Sequence, residues 1–263
     1  MTCIEAFMAR LQKELSKRMA ARKARGQKNI RSVLFCLFCC AVAVFPYMPG
    51  QSAAEPAAQS VPRNLGDLKQ QLTDYEHSGR YQRDVAAVVS SAEGYVLRRA
   101  PLVRKPAIVL DIDETSLSNW PQIQANDYGR IANGPCNIPA GPCGQTSWVA
   151  SAQAEAIMPT LALFRAAKAK GVSIFFITGR NETAREATEG NLRKVGYDGW
   201  TALVMRPAGT STPSAADYKA PERAKIAAQG FTIIANVGDQ PSDLAGGNAE
   251  RVYLVPNPFY RIP

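Results

Sequence analysis

The chain has 263 residues, of which 46% are hydrophobic, so it is long and apolar enough to bury the core of one large domain. This composition excludes a protein that is disordered throughout. The formal net charge of +9 would favour a nucleic-acid partner, but nine of the 31 basic side chains and only two of the 22 acidic ones lie in residues 1–54. The remaining residues carry 22 basic and 20 acidic side chains, so no nucleic-acid-binding face is expected there.

Residues 1–54 have the layout of an export signal, with a basic stretch that ends at Arg31 and an apolar run at 32–45. Small residues at the end of this segment suit a signal peptidase, so we expect cleavage there. The apolar run is shorter than the roughly 20 residues of a spanning helix, so an uncleaved anchor or a lipoprotein is the less favoured alternative. Met19 would be a more conventional start, because the basic region is unusually long. The predicted mature protein begins with a flexible segment at 55–64 and is periplasmic or secreted.

After the leader, the apolar residues first follow helical spacing and then form short runs. Residues 65–75 and 81–97 are predicted helices. The predicted strands are 107–110, 172–177, 202–205, 231–237 and 252–255, and the predicted helices between them are 159–170, 182–195 and 221–229. This alternation is typical of an α/β domain with a parallel sheet. We therefore expect residues 65–263 to form a Rossmann-like parallel sheet with helices on both faces.

The segment 116–157, inserted between the first two strands, is too long for a simple crossover loop. We expect it to form a small cap over the site together with the N-terminal helices. It contains Cys136 and Cys143, the two cysteines that remain once the leader is removed. Their loop is rich in turn residues, and an oxidising compartment would close a disulfide between them, with two free thiols as the alternative. A zinc site is not expected, because His77 is the single histidine.

Asp111 and Asp113 follow directly after the first predicted strand. In an open parallel sheet, ligands bind beyond the carboxyl ends of the strands. Two carboxylates at i and i+2 in such a position can serve as nucleophile and proton donor in phosphoryl transfer. We assign Asp111 to nucleophilic attack, which forms an aspartyl-phosphate, and Asp113 to protonation of the leaving alkoxide, a role that favours mildly acidic pH. A solvated turn and the Asp-x-Asp metal site of a glycosyltransferase are the alternatives.

Thr178, Gly179 and Arg180 follow the second predicted strand and form a candidate phosphate-binding patch. The threonine hydroxyl and nearby backbone N–H groups can donate to a phosphoryl oxygen, and Gly179 allows a ligand to approach closely. Arg180 is expected either to bind substrate or to pair with a carboxylate. Lys219 would neutralise charge on the phosphoryl group and on Asp111. Taken alone, a strand-ending turn and a solvated surface lysine explain these residues equally well.

Asp239 and Asp243 follow the strand 231–237 and complete a candidate metal site. Oxygen ligands of this kind suit Mg²⁺, which binds few protein carboxylates together with water and substrate phosphate. We expect Mg²⁺ to be held by Asp239, by Asp111 and by the backbone carbonyl of Asp113. Asp243 is expected to bind the metal through water or to hold Lys219, and a helix N-cap is the alternative for it.

The combination of these patches resembles the haloacid-dehalogenase (HAD) superfamily. Within it, the pattern is similar to the secreted acid phosphatases of subfamily IIIB, which include bacterial class B and C acid phosphatases and plant vegetative storage proteins. The resemblance begins near residue 65 and rests on the segments 111–119, 177–182, 218–223, 236–243 and 256–260. It implies a Rossmann-like fold, dependence on Mg²⁺, an aspartyl-phosphate intermediate and hydrolysis of phosphomonoesters, often nucleotides. Trp148 matches a family position in the cap, whereas 123–146 departs from the family pattern.

The sequence thus predicts an exported, Mg²⁺-dependent acid phosphatase whose partner is a small phosphomonoester, with no permanent membrane span after cleavage. The alternative is a catalytically weak storage or binding protein on the same scaffold. The presence of Asp111 favours the enzyme, because an idle relative can dispense with the nucleophile. A glycosyltransferase does not explain Thr178, Lys219 and Asp243 together. A dehalogenase has no use for Asp113, since a halide leaves without protonation.

Overall fold

The computed structural model describes residues 61–210 and 214–262. The predicted signal peptide, residues 1–54, and most of the predicted flexible segment at 55–64 lie outside the described residues. Residues 61–263 form one unit. Among the helices described, none is both long enough and apolar enough to cross a membrane.

Helices and strands alternate along most of this unit. In chain order they are α1 (Leu65–His77), α2 (Arg80–Arg99), β1 (Pro106–Leu110), β2 (Leu117–Ser118), α3 (Trp120–Ala125), α4 (Gln145–Ser151), β3 (Glu155–Ala156), α5 (Met158–Ala169), β4 (Ser173–Asn181), α6 (Arg185–Lys194), β5 (Ala202–Arg206), α7 (Ala215–Ala228), β6 (Thr232–Gly238), α8 (Pro241–Leu244) and β7 (Val252–Leu254). Single turns of 3₁₀-helix at Ala100–Leu102 and Glu182–Ala184 precede β1 and α6.

Five parallel strands form the main sheet in the order β5-β4-β1-β6-β7, which places β1 at the centre. Successive side chains of β1 point to opposite faces, and both faces are buried. Ile108 and Leu110 face the larger core, to which α2 and α5 contribute, while Ala107 and Val109 face a smaller core beneath Ile226 of α7. Helices therefore cover both faces, as a buried parallel sheet requires, and the predicted α/β fold is confirmed.

Two of the predicted element boundaries are wrong. The strand β4 continues to Asn181, whereas the apolar run predicted an end at residue 177. The helix α7 begins at Ala215, six residues before the predicted start at Pro221. Its start is set by a capping box, in which the Ser214 hydroxyl accepts from the backbone N–H of Asp217 and the Asp217 carboxylate accepts from the backbone N–H of Ser214.

The insertion, residues 116–157, folds back on itself as a small lobe. Its two ends meet in the antiparallel pair β2 and β3, where Leu117 lies opposite Ala156. A disulfide joins Cys136 to Cys143 within the lobe. The helix α1 contacts it through a hydrogen bond between the hydroxyls of Thr73 and Tyr128 and one from the Tyr128 hydroxyl to the backbone carbonyl of Lys69. The helix α2 instead packs along the sheet beside α5, so most of its length belongs to the layer that covers the core.

Candidate active site

The parallel sheet brings the predicted site residues to one edge. Asp111 follows β1, Thr178 lies near the end of β4, and Asp239 follows β6. Because β1 is hydrogen-bonded to both β4 and β6, the carboxyl ends of these three strands are neighbours. The backbone N–H of Asp111 donates to the carbonyl of Val237 at 3.0 Å, which continues this pairing into the loop after β1. Residues that are more than a hundred positions apart in sequence therefore surround one site.

Three buried aspartates form the centre of the site. Asp111, Asp239 and Asp243, the carboxylate cluster, each present an oxygen within 4.8 Å of the others. The Lys219 ammonium donates to Asp111 Oδ1 at 2.5 Å and to Asp243 Oδ1 at 2.6 Å. One buried cation thus faces three carboxylates, so the cluster carries a net negative charge when all of them are ionised.

The surroundings of the carboxylate cluster disfavour this charge. Burial raises the pKa of Asp111 well above its ordinary value, and the nearby carboxylates of Asp243 and Asp239 add to this, while the Lys219 ammonium opposes it. Burial and the Asp243 carboxylate likewise raise the pKa of Asp239. Burial alone would lower the pKa of Lys219, but the two carboxylates more than offset it, so the net pKa is raised and the lysine stays charged. A buried group of hard oxygen donors with excess negative charge fits a divalent cation such as Mg²⁺.

The side chain of Asp113 lies outside the carboxylate cluster and pairs with Arg180. The guanidinium Nη2 is 2.7 Å from Asp113 Oδ1, and Nε is 3.2 Å from both carboxylate oxygens. The Asn119 amide also donates to Asp113 Oδ1 at 2.9 Å. Burial opposes ionisation, but the Arg180 charge and these hydrogen bonds outweigh it and lower the pKa of Asp113. The predicted contact of Asp113 with a metal is through its backbone carbonyl, and this stays a prediction.

The predicted phosphate patch forms an irregularity in β4. Thr178 pairs with Met205 and Asn181 with Arg206, so Gly179 and Arg180 have no partners between them in β5. The Thr178 hydroxyl accepts from the backbone N–H of Arg180 at 3.1 Å. Thr178 and Arg180 are buried, whereas Gly179 is exposed, and a methyl group added there would meet no heavy atom within 4 Å. Bulges of this kind re-aim side chains beside active sites, and this one directs Arg180 to Asp113.

Glu114 is a buried residue of the site to which the sequence interpretation assigned no role. Its Oε1 accepts from the backbone N–H of Asn119 at 2.6 Å, and its Oε2 accepts from the Asn119 amide at 3.0 Å and from the Tyr260 hydroxyl. Burial and the adjacent Asp113 carboxylate raise the pKa of Glu114 to about 8. Its backbone has a φ of 52°, which few residues other than glycine adopt, and it forms part of the tight loop after β1.

The available signal for Glu114 was its place in the segment 111–119, where it directly follows the two catalytic candidates Asp111 and Asp113. Asn119 has a similar position and a further contact, because the Trp148 indole N–H donates to its Oδ1 at 2.7 Å. Trp148 belongs to α4 of the insertion, so Asn119, near the start of the insertion, connects α4 to Asp113.

Asp243 is held in place by a fully buried arginine. Arg223 Nη1 donates to the backbone carbonyl of Asp243 at 2.7 Å, and its Nε donates to the carbonyl of Gly247 at 3.1 Å. Asn236 donates to the same Asp243 carbonyl at 3.0 Å, and the backbone N–H of Gln240 donates to Asp243 Oδ2 at 2.9 Å. With Lys219 on Oδ1, both oxygens of Asp243 have donors from the protein, which supports its predicted role in holding Lys219.

The fold and the site together define a phosphatase of the HAD class. The sheet is parallel and covered on both faces, one aspartate follows its central strand, and a buried lysine and two further aspartates after β6 complete the site. The chain belongs to the HAD superfamily, subfamily IIIB (acid phosphatase), whose family model matches residues 51–263.

Relatives of the chain include both enzymes and proteins named for storage. The stem 28 kDa glycoprotein of Glycine max is 34% identical over 192 residues, which are 72% of this chain and 72% of that protein. Acid phosphatase 1 of Solanum lycopersicum is 33% identical over 155 residues, 59% of this chain and 58% of that protein. Vegetative storage protein 1 of Arabidopsis thaliana is 29% identical over 190 residues, 71% of this chain and 67% of that protein.

The fold is similar to that of a solved structure. The class C acid phosphatase from Bacillus anthracis with tungstate bound superposes with a TM-score of 0.55 at 23% sequence identity. The match covers 74% of this chain and 86% of that one.

Proposed function

We propose that the protein is an exported, Mg²⁺-dependent acid phosphatase that hydrolyses phosphomonoesters through an aspartyl-phosphate intermediate. The observation that carries the proposal is the separation of the two aspartates after β1. Asp111 lies in the carboxylate cluster in contact with Lys219, whereas Asp113, two residues later, is held apart by Arg180. This separation gives the two carboxylates different surroundings, which nucleophile and proton carrier require.

In the proposed reaction, Asp111 attacks the phosphorus atom of the ester. Lys219 engages Asp111 Oδ1, so we assign the attack to Oδ2. The bond from phosphorus to the ester oxygen breaks, and the leaving alkoxide takes a proton from Asp113. Water then attacks the aspartyl-phosphate, Asp113 takes a proton from that water, and inorganic phosphate is released while the Asp111 carboxylate is restored. Lys219 neutralises Asp111 and the phosphoryl oxygens, so that two anions can approach each other.

Asp113 must carry a proton before it can donate one, and its pairing with Arg180 favours the ionised form. Phosphate oxygens compete well for a guanidinium, because they form the same short, charge-assisted hydrogen bonds as a carboxylate. We propose that the substrate phosphate, bound beside the exposed Gly179, draws Arg180 from Asp113 and so allows its protonation. Thr178 and the backbone of the bulge supply further contacts to the phosphoryl oxygens.

Asp111, Asp239 and the backbone carbonyl of Asp113 are the groups that would hold Mg²⁺, while Asp243 would either bind the ion through water or hold Lys219. When bound, the ion supplies positive charge to the phosphoryl oxygens and to Asp111. The choice of a divalent cation, and of Asp111 and Asp239 as its ligands, is supported by the oxygen donors and the excess negative charge of the carboxylate cluster.

Export is supported by two features of different kinds. Residues 1–54 have the composition of a signal peptide, and the disulfide between Cys136 and Cys143 suits an oxidising compartment. Three soybean relatives are named stem glycoproteins, which fits passage through a secretory route.

A storage or binding role on the same scaffold is the second candidate, because relatives of the chain are named vegetative storage proteins. The intact pairs of Asp111 with Lys219 and of Asp113 with Arg180 favour catalysis over storage alone.

Hydrolysis of p-nitrophenyl phosphate by the purified protein, with EDTA or with added Mg²⁺, tests the proposal. We expect activity that EDTA abolishes, Mg²⁺ restores, and Asp111→Asn removes, while the exposed Asp198→Asn control keeps it. Mass spectrometry of acid-quenched protein should find phosphate on Asp111. Lack of turnover by the wild-type protein with any divalent cation would leave the storage role as the better description, and substantial turnover by Asp111→Asn would remove Asp111 as the nucleophile.

A further inference from the structure

The carboxylate of Asp239 receives three hydrogen bonds that are divided unequally between its two oxygens. Oδ2 accepts from the side-chain amides of Gln240 at 2.6 Å and Asn257 at 2.7 Å, whereas Oδ1 accepts from the Thr115 hydroxyl at 3.2 Å. A carboxylate oxygen has two lone-pair positions. The two amides therefore saturate Oδ2, and Oδ1 keeps a lone-pair position for a further partner.

The two amides come from different parts of the chain and are themselves held in place. Asn257 belongs to the C-terminal segment, residues 256–262, and its own Oδ1 accepts from the backbone N–H groups of Phe259 at 3.0 Å and Tyr260 at 3.4 Å. Gln240 precedes α8, and its Oε1 accepts from the backbone N–H of Ile262 at 3.0 Å. Each amide is thus bound at both ends, with its oxygen engaged by the C-terminal segment and its nitrogen by Asp239.

The C-terminal segment has its own anchor in the core. Phe259 is buried, and its ring packs against Tyr81 and Trp120 with centroids 5.1 Å and 5.3 Å away. The position of Asn257 is therefore fixed by packing that is independent of Asp239. An amide fixed in this way can orient a carboxylate, whereas a mobile one would only follow it.

We propose that Asn257, together with Gln240, is a positioning residue for the metal site. The two amides occupy Oδ2 of Asp239 and so leave Oδ1 as the oxygen that can bind a cation shared with Asp111 and Asp243. The inference rests on the proposed function, because it assigns a purpose to these residues only if the carboxylate cluster holds a divalent cation. Hydrogen bonds to ligating carboxylates of this kind commonly change metal affinity by about 10- to 100-fold.

Asn257→Ser is the sharpest test, because serine keeps a side-chain oxygen for the turn at Phe259 but is too short to reach Asp239. Asn133→Ser is a matched control at an exposed asparagine of the insertion, where the side chain accepts from the Thr146 hydroxyl and does not contact the carboxylate cluster. Calorimetric titration of metal-free protein with Mg²⁺, without substrate, measures the affinity directly. We expect the Kd of Asn257→Ser to rise about tenfold or more, and that of Asn133→Ser to match the wild type.

A second variant, Gln240→Met, keeps the length of the side chain but removes the other amide donor. It should also weaken Mg²⁺ binding, and it decides the question if Asn257→Ser does not show a cooperative unfolding transition in EDTA. Wild-type protein that binds Mg²⁺, with folded variants of unchanged affinity, overturns this inference alone. Wild-type protein that takes up no divalent cation overturns both the inference and the proposed function.

Discussion

Replacing Asp111 with asparagine should abolish catalysis and at the same time stabilise the metal-free protein. The substitution keeps the shape of the side chain, and the amide oxygen can still accept from Lys219, which lies 2.5 Å from Asp111 Oδ1. It removes one of three buried negative charges that face a single ammonium. The substitution is therefore expected to remove activity and to raise stability. This is common at active sites, where charges that the chemistry needs destabilise the fold.

The size of the effect follows from the distances. With an effective dielectric constant of about 20, repulsion from each of the two other carboxylates, within 4.8 Å, is at least about 3.5 kcal/mol, and attraction to Lys219 at 2.5 Å is about 6.6 kcal/mol. These contributions nearly cancel, which leaves the cost of burying the charge, several kcal/mol after relaxation. Because a buried amide also loses hydration, we expect the free energy of unfolding to rise by about 1–3 kcal/mol.

Urea or thermal unfolding in EDTA measures this difference, and each kcal/mol corresponds to about 2–4 °C in Tm for a chain of this size. Burial and the neighbouring carboxylates raise the pKa of Asp111 in the folded, metal-free protein. Ionisation of Asp111 therefore weakens the native state as the pH rises above about 3.9, the pKa of an unfolded aspartate, and the difference between the two proteins should widen toward pH 7. Excess Mg²⁺ at about a hundred times its Kd should stabilise the wild type by about 2.7 kcal/mol and the variant by less.

Asp198→Asn serves as the control, because its side chain is exposed and its removal should leave unfolding unchanged. A lower stability of Asp111→Asn than of the wild type, in EDTA at pH 7, would show that the buried charge of Asp111 does not destabilise the fold. A difference that stays constant from pH 4 to pH 7 would also contradict the prediction, since the stabilisation would then not depend on ionisation of Asp111.

Three further variants test other parts of the site. Asp239→Asn should raise the Mg²⁺ concentration for half-maximal activity by about tenfold or more, and an unchanged requirement would exclude Asp239 as a ligand. Replacing both Cys136 and Cys143 with serine opens a loop closed over a separation of seven residues, and urea unfolding should show a loss of about 2–3 kcal/mol; equal stability would mean that the bridge contributes nothing. Trp148→Phe leaves Asn119 Oδ1 without its indole donor, so kcat should fall about three- to tenfold with little change in KM. Steady-state kinetics measures both constants, and an effect confined to KM would indicate a role in substrate binding instead.

The sheet and the position of Asp111 could be predicted from local pattern. A short apolar run rich in β-branched residues, such as that of β1, is typical of a buried strand, and a carboxylate directly after such a strand lies where the ligands of a parallel sheet bind. The predicted start of α7 at Pro221 is wrong, because the spacing of Ser214 and Asp217 is a capping signal that places the start at Ala215.

The contacts that complete the site depend on long-range packing. The Tyr260 hydroxyl donates to Glu114, which lies 146 positions earlier in the sequence, and no local sequence pattern predicts that these two residues are in contact. For Arg180, the sequence left binding to substrate and pairing with a carboxylate as equal alternatives. The choice of Asp113 as its partner follows from the bulge in β4, which an apolar run does not reveal.

The attachment of Asn257, Tyr260 and Ile262 to the site makes one short stretch of backbone responsible for several of its contacts. Within residues 256–262, Asn257 binds Asp239, Tyr260 binds Glu114, and Ile262 binds Gln240. Displacement or proteolytic removal of this segment would therefore release Asp239 and Glu114 together, although the strands that carry the site keep their own pairing.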